Sequence, residues 1–302
     1  MPSADIRVMP PVVTLVKGGL GNQLFCYAAA RALALRLGRP LALDITTGYR
    51  RDDYGRSYRL GRFPIQAEIA GPEWCLGGDT HSWSHRLARN GNKLLPLTRR
   101  SYLAEKRRHG INLLTMADPP SGRRVYLNGY WQDERFFEAS AGVIRDELTP
   151  PAPVTADGLA VLKRIEAVPF AVMVHVRRVR YSPKLGADYY HRAVEQCLAA
   201  EPGARFFVFG DDQEWARATI DFHGAPVEFV ANPSAPDELE DFSLMTRCGG
   251  AIVANSSFSW WGAWLGQASK RVWTPANAGF PLRPAAGWVP VENEIEAGSA
   301  KT

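Results

Sequence analysis

Four stretches of the chain concentrate residues able to do chemistry. The first is Gly18-Gly19-Leu20-Gly21-Asn22-Gln23, placed where an apolar run gives way to a helix-forming run. Backbone N–H groups and the helix dipole at such a junction favour a phosphate. Read as a dinucleotide fingerprint, Gly19-x-Gly21-x-x-Leu24 lacks the third glycine needed for close helix-to-strand packing, although Asp44 stands where a ribose-binding carboxylate would. A glycine-rich turn without a ligand is the plain alternative.

The second stretch is His175-Val176-Arg177-Arg178, at the carboxyl end of an apolar run. Two adjacent arginines beyond a strand cannot both be buried unpaired, and a guanidinium offers a planar fork of donors suited to phosphate oxygens. A diphosphate clamp is one reading. The other has an arginine paired with a structural carboxylate and His175 as a satisfied core histidine. The third stretch, Phe209-Gly210-Asp211-Asp212, also follows a strand-like run. Its carboxylates can accept from a nucleobase or a sugar hydroxyl, or Asp212 can simply cap the next helix. The fourth, Asn255-Ser256-Ser257-Phe258-Ser259, opens a helix, so its hydroxyls and first N–H groups make another anion cradle. Asp241 lies on a helix whose Phe242 and Met245 share one face, and an outward Asp there is ordinarily solvated. Trp260 and Trp264, one helical turn apart, read as core packing.

These residues need elements to position them. The chain predicts a strand over 12–16, a helix over 22–37 stopped by Gly38-Arg39-Pro40, and a strand over 41–44. Residues 48–122 are weakly periodic and read as mixed loops and helices. A strand over 125–127 and a helix over 134–147 follow. Thr149-Pro150-Pro151-Ala152-Pro153 continues neither helix nor internal strand and is the best linker candidate, dividing the chain into domains 1–150 and 151–302. Beyond it the alternation is regular. Helices are predicted over 156–165, 188–200, 213–220, 237–246 and 258–268, and strands over 170–175, 206–209, 227–229, 251–254 and 271–273. The fold class is therefore α/β, two Rossmann-like domains whose facing strand ends would leave a ligand cleft.

Composition agrees. The 302 residues are 46% hydrophobic and 22% charged, which excludes disorder and collagen. No apolar stretch reaches the ~20 residues needed to span a bilayer, and the start lacks a basic-then-apolar leader, so the reading is cytoplasmic. Cys26, Cys75, Cys197 and Cys248 stand far apart and read as buried thiols, with no zinc knuckle. The net charge of +5 is uneven: Arg86, Arg89, Lys93, Arg99, Arg100, Lys106, Arg107, Arg108, Arg123 and Arg124 face only Glu105 and Asp118 over 86–124. Such a run is commonly a solvated face; its functional reading is docking at the inner membrane face. Aromatics are not interleaved as a nucleic-acid platform requires, so no nucleic-acid partner is expected.

Taken in order, GGLGNQLF, HVRR, FVFGDDQEW, DFSLM and ANSSFSWWGAWL resemble glycosyltransferase family 11, the α-1,2-fucosyltransferases, over residues 12–275. The resemblance implies a GT-B fold, GDP-β-L-fucose as donor, inversion at the anomeric carbon, no required metal or cofactor, and transfer to the 2-hydroxyl of a galactose-containing glycan; the cationic run over 86–124, docked at a membrane, would place the chain beside a lipid-linked acceptor. It implies that Arg177 is the catalytic residue holding the diphosphate, with Arg178 beside it. His175 and Asp241 would lie near guanine and ribose, Asn22 would reach the diphosphate or fucose across the cleft, and Ser256, Ser257 and Ser259 would cradle phosphate. Asp211, Asn255 and Phe258 complete the expected donor site. The chain has no D-x-D pair, in keeping with metal independence. One departure matters: the family pattern continues HxRR-G-D-Y, and here Arg180 replaces the Asp. A cation is no general base at neutral pH. If that Asp is a base in relatives, this chain uses another carboxylate, lets a phosphate oxygen of departing GDP take the proton, or binds without turnover. A fucose-like donor such as colitose would need only small changes in the pocket.

Overall fold

A computed structural model describes residues 9–50, 52–75, 90–91, 94–96, 99–105, 113, 124–179, 183–231, 238–266, 270–279 and 281–296. The chain forms two compact units, Met1–Leu148 and Thr149–Thr302.

In the first unit the described elements are β1 (Val12–Leu15), α1 (Leu20–Leu37), β2 (Leu41–Asp44), β3 (Glu68–Ile69), β4 (Tyr102–Ala104), β5 (Val125–Asn128) and α2 (Ala141–Glu147). The sheet runs β3-β2-β1-β5-β4 with every neighbouring pair parallel. β1 and β2 are buried at every position, as strands covered on both faces must be. α1 buries residues around most of its circumference, which its run of Ala, Leu and Phe permits. It ends where Gly38 turns left-handed at φ 61°, with Arg39 N–H donating to Ala34 O at 2.9 Å and Gly38 N–H to Leu35 O at 3.1 Å.

Two expectations change here. The helix predicted over 134–147 is α-helical only from Ala141; residues 134–136 and 138–140 form 3₁₀ turns. Phe137 leaves helical geometry at φ −141° to bury its ring against Phe25, centroids 6.2 Å apart, so tertiary packing overrides local propensity. Within 48–122 the sheet gains β3 and β4, whose two and three residues are too short for a periodic signal.

The second unit contains α3 (Ala156–Glu166), β6 (Ala171–Val176), β7 (Lys184–Leu185), α4 (Ala187–Ala200), β8 (Arg205–Gly210), α5 (Gln213–Thr219), β9 (Val227–Phe229), α6 (Leu239–Arg247), β10 (Gly250–Ile252), α7 (Ser257–Trp264), β11 (Arg271–Pro275), β12 (Val289–Val291) and β13 (Ile295–Glu296). The main sheet runs β12-β11-β10-β6-β8-β9, parallel throughout; β7 and β13 form a separate antiparallel pair. The chain lays down β6, then β8 and β9 to one side, then β10, β11 and β12 to the other, so the order reverses between β6 and β10. Ligands of doubly wound sheets bind at that reversal.

Alternation along the strands supplies both cores. Val172, Val174, Phe206, Val208 and Ile252 face α4 and α5, through Tyr189, Tyr190, Ala193 and Ala216. Ala171, Met173, Phe207, Phe209 and Ala251 face the opposite layer, through Val161, Ile165, Leu244, Met245 and Ala263. β10 ends two residues earlier than predicted because Ala254 O turns to accept from Ser256 N–H at 2.8 Å. Trp260 and Trp264 are core residues as read, nearly buried and stacked with centroids 6.0 Å apart. Cys26, Cys197 and Cys248 are buried, and burial pushes each thiol up to about 12; Cys75 is only half-buried, a correction to its reading as a core thiol. Asp237, Ala268 and Arg180 lie outside the described residues, as do Arg86, Arg89, Lys93, Lys106, Arg107, Arg108 and Arg123.

The α/β class with two Rossmann-like units is thus the architecture found. No described helix is long and apolar enough to cross a membrane.

Candidate functional site

The carboxyl ends of β6, β8 and β10 are adjacent because those strands are neighbours in the sheet. β8 closes on β6 through Gly210, whose φ of +137° and near contact with Val176 O leave no room for a Cβ, which would sit 1.9 Å from that oxygen. The close approach delivers Asp211 to the residues following β6. Arg177 Nη1 donates to Asp211 Oδ2, and Arg178 N–H donates to Asp211 Oδ1 at 2.8 Å.

The two arginines then diverge. Arg178 is buried; its Nη1 donates to Leu185 O at 2.7 Å, its guanidinium lies 3.8 Å over the Trp215 ring, and its Nε stands 3.7 Å from Asp212 Oδ2. It serves the fold. Arg177 keeps 38% of its side chain exposed at the sheet edge and is the cation of the pair presented outward. Asp212 caps α5, accepting from Trp215 N–H at 3.2 Å. Asp211 is thus the carboxylate that pairs with an arginine of the second stretch, and Asp212 is the helix cap.

His175 is not a satisfied core histidine. Its ring is buried beside Phe258, centroids 5.6 Å apart, and Nδ1 has no protein hydrogen-bond partner. Burial, with Arg177 adding to it and Asp211 opposing, pushes the imidazole down to about 4, so the ring is neutral at pH 7. An orphaned buried ring nitrogen at a strand's carboxyl end is a place for a ligand's polar atom.

Across the order reversal, Ser256 caps α7 by accepting from Phe258 N–H at 3.3 Å, and Ser259 Oγ donates to Ser256 O at 3.2 Å. Asn255 Nδ2 donates to Pro183 O at 3.0 Å and to Ala278 O at 3.1 Å, tying the segments after β6 and β11 to the end of β10. Asn255, Ser256 and Ser259 thus shape the cradle, while Ser257 and Phe258 occupy its half-buried first turn. Phe258 also meets Phe242 at 5.2 Å, joining α6 to the site; Asp241 precedes Phe242, half-buried in the first turn of that helix.

The sequence gives no sign of Glu240, which is buried. It accepts from Val154 N–H and Thr155 N–H, both at 3.0 Å, and from Thr155 Oγ1 at 2.5 Å, docking the start of α3. Its partners are some 85 residues away in the chain, and no local pattern reports them.

At the carboxyl edge of the first sheet, Gly18 takes φ +78° and Gly19 caps α1 without a side-chain cap or an acidic residue in the first turn. The Asn22-Gln23 pair divides. Asn22 Oδ1 accepts from Gln132 Nε2 at 2.8 Å. Gln23 is a buried strut, donating to Gly18 O at 3.0 Å and Ser57 O at 2.9 Å and accepting from Arg59 N–H at 2.9 Å. Lys17 Nζ donates to Asn128 Oδ1 at 2.8 Å and lies 5.0 Å over the Tyr130 ring.

Asp44 is not placed to hold a ribose. It is buried and accepts from Thr46 N–H, Thr47 N–H, Thr47 Oγ1 and Tyr126 Oη. Burial works to raise its carboxyl, but those hydrogen bonds outweigh it and hold the group below the ordinary carboxylate value. With the third glycine missing as well, the dinucleotide reading has no ribose carboxylate. Of the cationic tract, Arg100 Nε donates to Leu95 O at 3.0 Å and Arg124 lies 4.8 Å over Trp74.

Residues 109–277 match the model of the family described as Glycosyl transferase family 11. The chain is 29% identical to the alpha-1,2-colitosyltransferase of Escherichia coli over 85% of its own length and 88% of that protein. It is 28% identical to the O-antigen biosynthesis glycosyltransferase WbnK of Escherichia coli over 87% of its length and 94% of that protein. Among solved structures, a point mutant of Arabidopsis thaliana FUT1 in complex with GDP superposes with TM-score 0.51 at 13% identity, covering 89% of this chain and 71% of that one, a likeness of fold.

Proposed function

The chain belongs to glycosyl transferase family 11, and from that membership we propose an inverting transfer of L-fucose from GDP-β-L-fucose to the 2-hydroxyl of a galactoside, without a metal. The observation that carries this reading is Arg177, fixed by Asp211 and turned outward at the order reversal, with the N-terminus of α7 on the neighbouring strand. A fixed cation and helix N–H groups are what a departing nucleoside diphosphate needs in place of a divalent ion.

In this reaction the acceptor oxygen attacks C1 of the sugar from the face opposite the diphosphate. The C1–O bond to the β-phosphate breaks, its electron pair leaves on GDP, and the configuration inverts. Arg177 and α7 meet the charge that develops on the diphosphate, and the neutral ring of His175 offers Nδ1 to the nucleoside part of the donor. Arg180 takes no proton at neutral pH, so the hydroxyl proton goes to a carboxylate elsewhere or to a phosphate oxygen of GDP. The second unit holds the donor in this reading, and the first unit meets the acceptor.

A second reading changes only the sugar. The Escherichia coli relative named for colitose, a sugar without the 3-hydroxyl of fucose, supports GDP-colitose as donor. The test is release of GDP from each of the two donors in EDTA, with and without a terminal β-galactoside. Acceptor-dependent release from one donor identifies the sugar and supports metal independence. Tight GDP binding with no release from either would overturn transfer in favour of a binding protein. Docking of residues 86–124 on a membrane beside a lipid-linked acceptor belongs to the same proposal; co-sedimentation with anionic vesicles should fall as salt rises.

A further inference from the structure

At the carboxyl end of β5 the chain makes a turn that nothing in its local sequence explains. Trp131 is buried with φ +55°, a left-handed conformation that a large side chain rarely adopts. The turn is held from outside. β4 pairs with β5 in parallel, Ala104 opposite Asn128, and Glu105 N–H continues the ladder to Asn128 O at 2.9 Å. The Glu105 carboxylate then reaches across Gly129: Oε2 accepts from Tyr130 N–H at 2.6 Å and from Trp131 N–H at 3.1 Å, and Oε1 lies 3.2 Å from Trp131 N. Only glycine fits at 129, because a Cβ there would stand 2.4 Å from Glu105 Cβ.

What the turn presents is the edge of the first sheet. Tyr130 lies under the Lys17 ammonium, and a Cβ on Gly18 would come within 3.2 Å of its hydroxyl. Gln132 reaches Asn22 in the first turn of α1. One carboxylate therefore sets the backbone from which Tyr130 and Gln132 meet the glycine turn.

We infer that Glu105 is a positioning residue for the transfer: by holding the N–H groups of Tyr130 and Trp131 it fixes the aromatic ring and the carboxamide that meet the glycine turn and Asn22, where the first unit meets substrate. The inference rests on the transferase reading given above, with the first unit meeting the acceptor. Glu105 touches no reacting atom. It acts through the turn, as a displaced contact of about an ångström is enough to slow an enzyme severely.

The experiment compares Glu105→Ala and Glu105→Gln with the parent protein in three measurements: steady-state transfer, amide hydrogen exchange at residues 129–132, and melting temperature. Glutamine keeps one oxygen able to accept both N–H groups, so it should restore what alanine loses. For Glu105→Ala the KM of at least one substrate should rise about tenfold, and the Tyr130 and Trp131 amides should exchange faster. A purely structural part would instead lower the melting temperature and the active fraction and leave both KM values alone, which would overturn the inference. If the parent protein transfers no sugar, the function reading fails, and exchange alone decides: parent-like rates at Tyr130 and Trp131 in Glu105→Ala would overturn the positioning role.

Discussion

Asp211 and Arg177 form an ion pair between the ends of two adjacent strands, and the second oxygen of the same carboxylate takes the N–H of Arg178. The carboxylate thus orients one arginine by its side chain and the other by its backbone. Asp211→Asn keeps the shape and an acceptor oxygen but removes the charge that holds the guanidinium. GDP affinity measured by calorimetry should weaken about tenfold, with the melting temperature nearly unchanged. Parent-like affinity would remove Asp211 from the site.

The neighbouring arginines should fail in different ways. Arg177→Ala should cost about a hundredfold or more in turnover with no loss of stability. Arg178→Ala strips the Leu185 carbonyl, the Trp215 face and Asp212 of their partner, and should lower stability by about 2 kcal/mol. Urea unfolding read beside turnover for both variants separates the two parts. Equal effects on both readouts would refute the division.

His175 makes stability depend on pH. Its ordinary value is 6.5 and burial pushes it down to about 4 in the folded chain. Between those values the unfolded chain binds the proton and the folded chain does not. The stability is therefore complete above 6.5 and is lost as pH falls toward 4, by about 3 kcal/mol. Asp44, also held below its ordinary 3.8, adds its loss only at lower pH. His175→Phe should flatten the unfolding free energy across that window by about one proton; an unchanged slope would mean that the ring is already protonated in the folded protein.

Gly210→Ala should be among the most damaging single changes. The added Cβ meets backbone oxygen from Val176, which cannot move without parting β6 from β8, and φ +137° is strained for any L side chain. A loss of at least about 3 kcal/mol is expected, seen as a shifted denaturation midpoint or loss of folded protein. Gly203→Ala, where nothing lies within 4 Å of the added carbon, is the control.

Much of the fold is legible in the sequence. β1 and β6 are short apolar runs, α1 is a stretch of strong helix formers closed by Gly38 and Pro40, and α5 starts behind the capping Asp212. Each signal is local, so each can be read from a few neighbouring residues. The site motifs are legible for the same reason: His175, Arg177, Asp211 and Ser256 all stand where an apolar run ends, and carboxyl ends of parallel strands face one edge.

Local runs and turns mark which residues reach the sheet edges, and the motifs mark the family. What each of them does there depends on long-range packing. Arg177 and Arg178 are alike as letters, but β8 lies beside β6 and brings Asp211 to one side chain while Trp215 and Leu185 bury the other. Gln23 and Asn22 divide between strut and edge in the same way, and Glu105 matters because β4 lies beside β5. The partners in these contacts are far apart along the chain. Strand order brings them together, and strand order is set by the packing of the whole unit and leaves no mark on any short stretch of sequence.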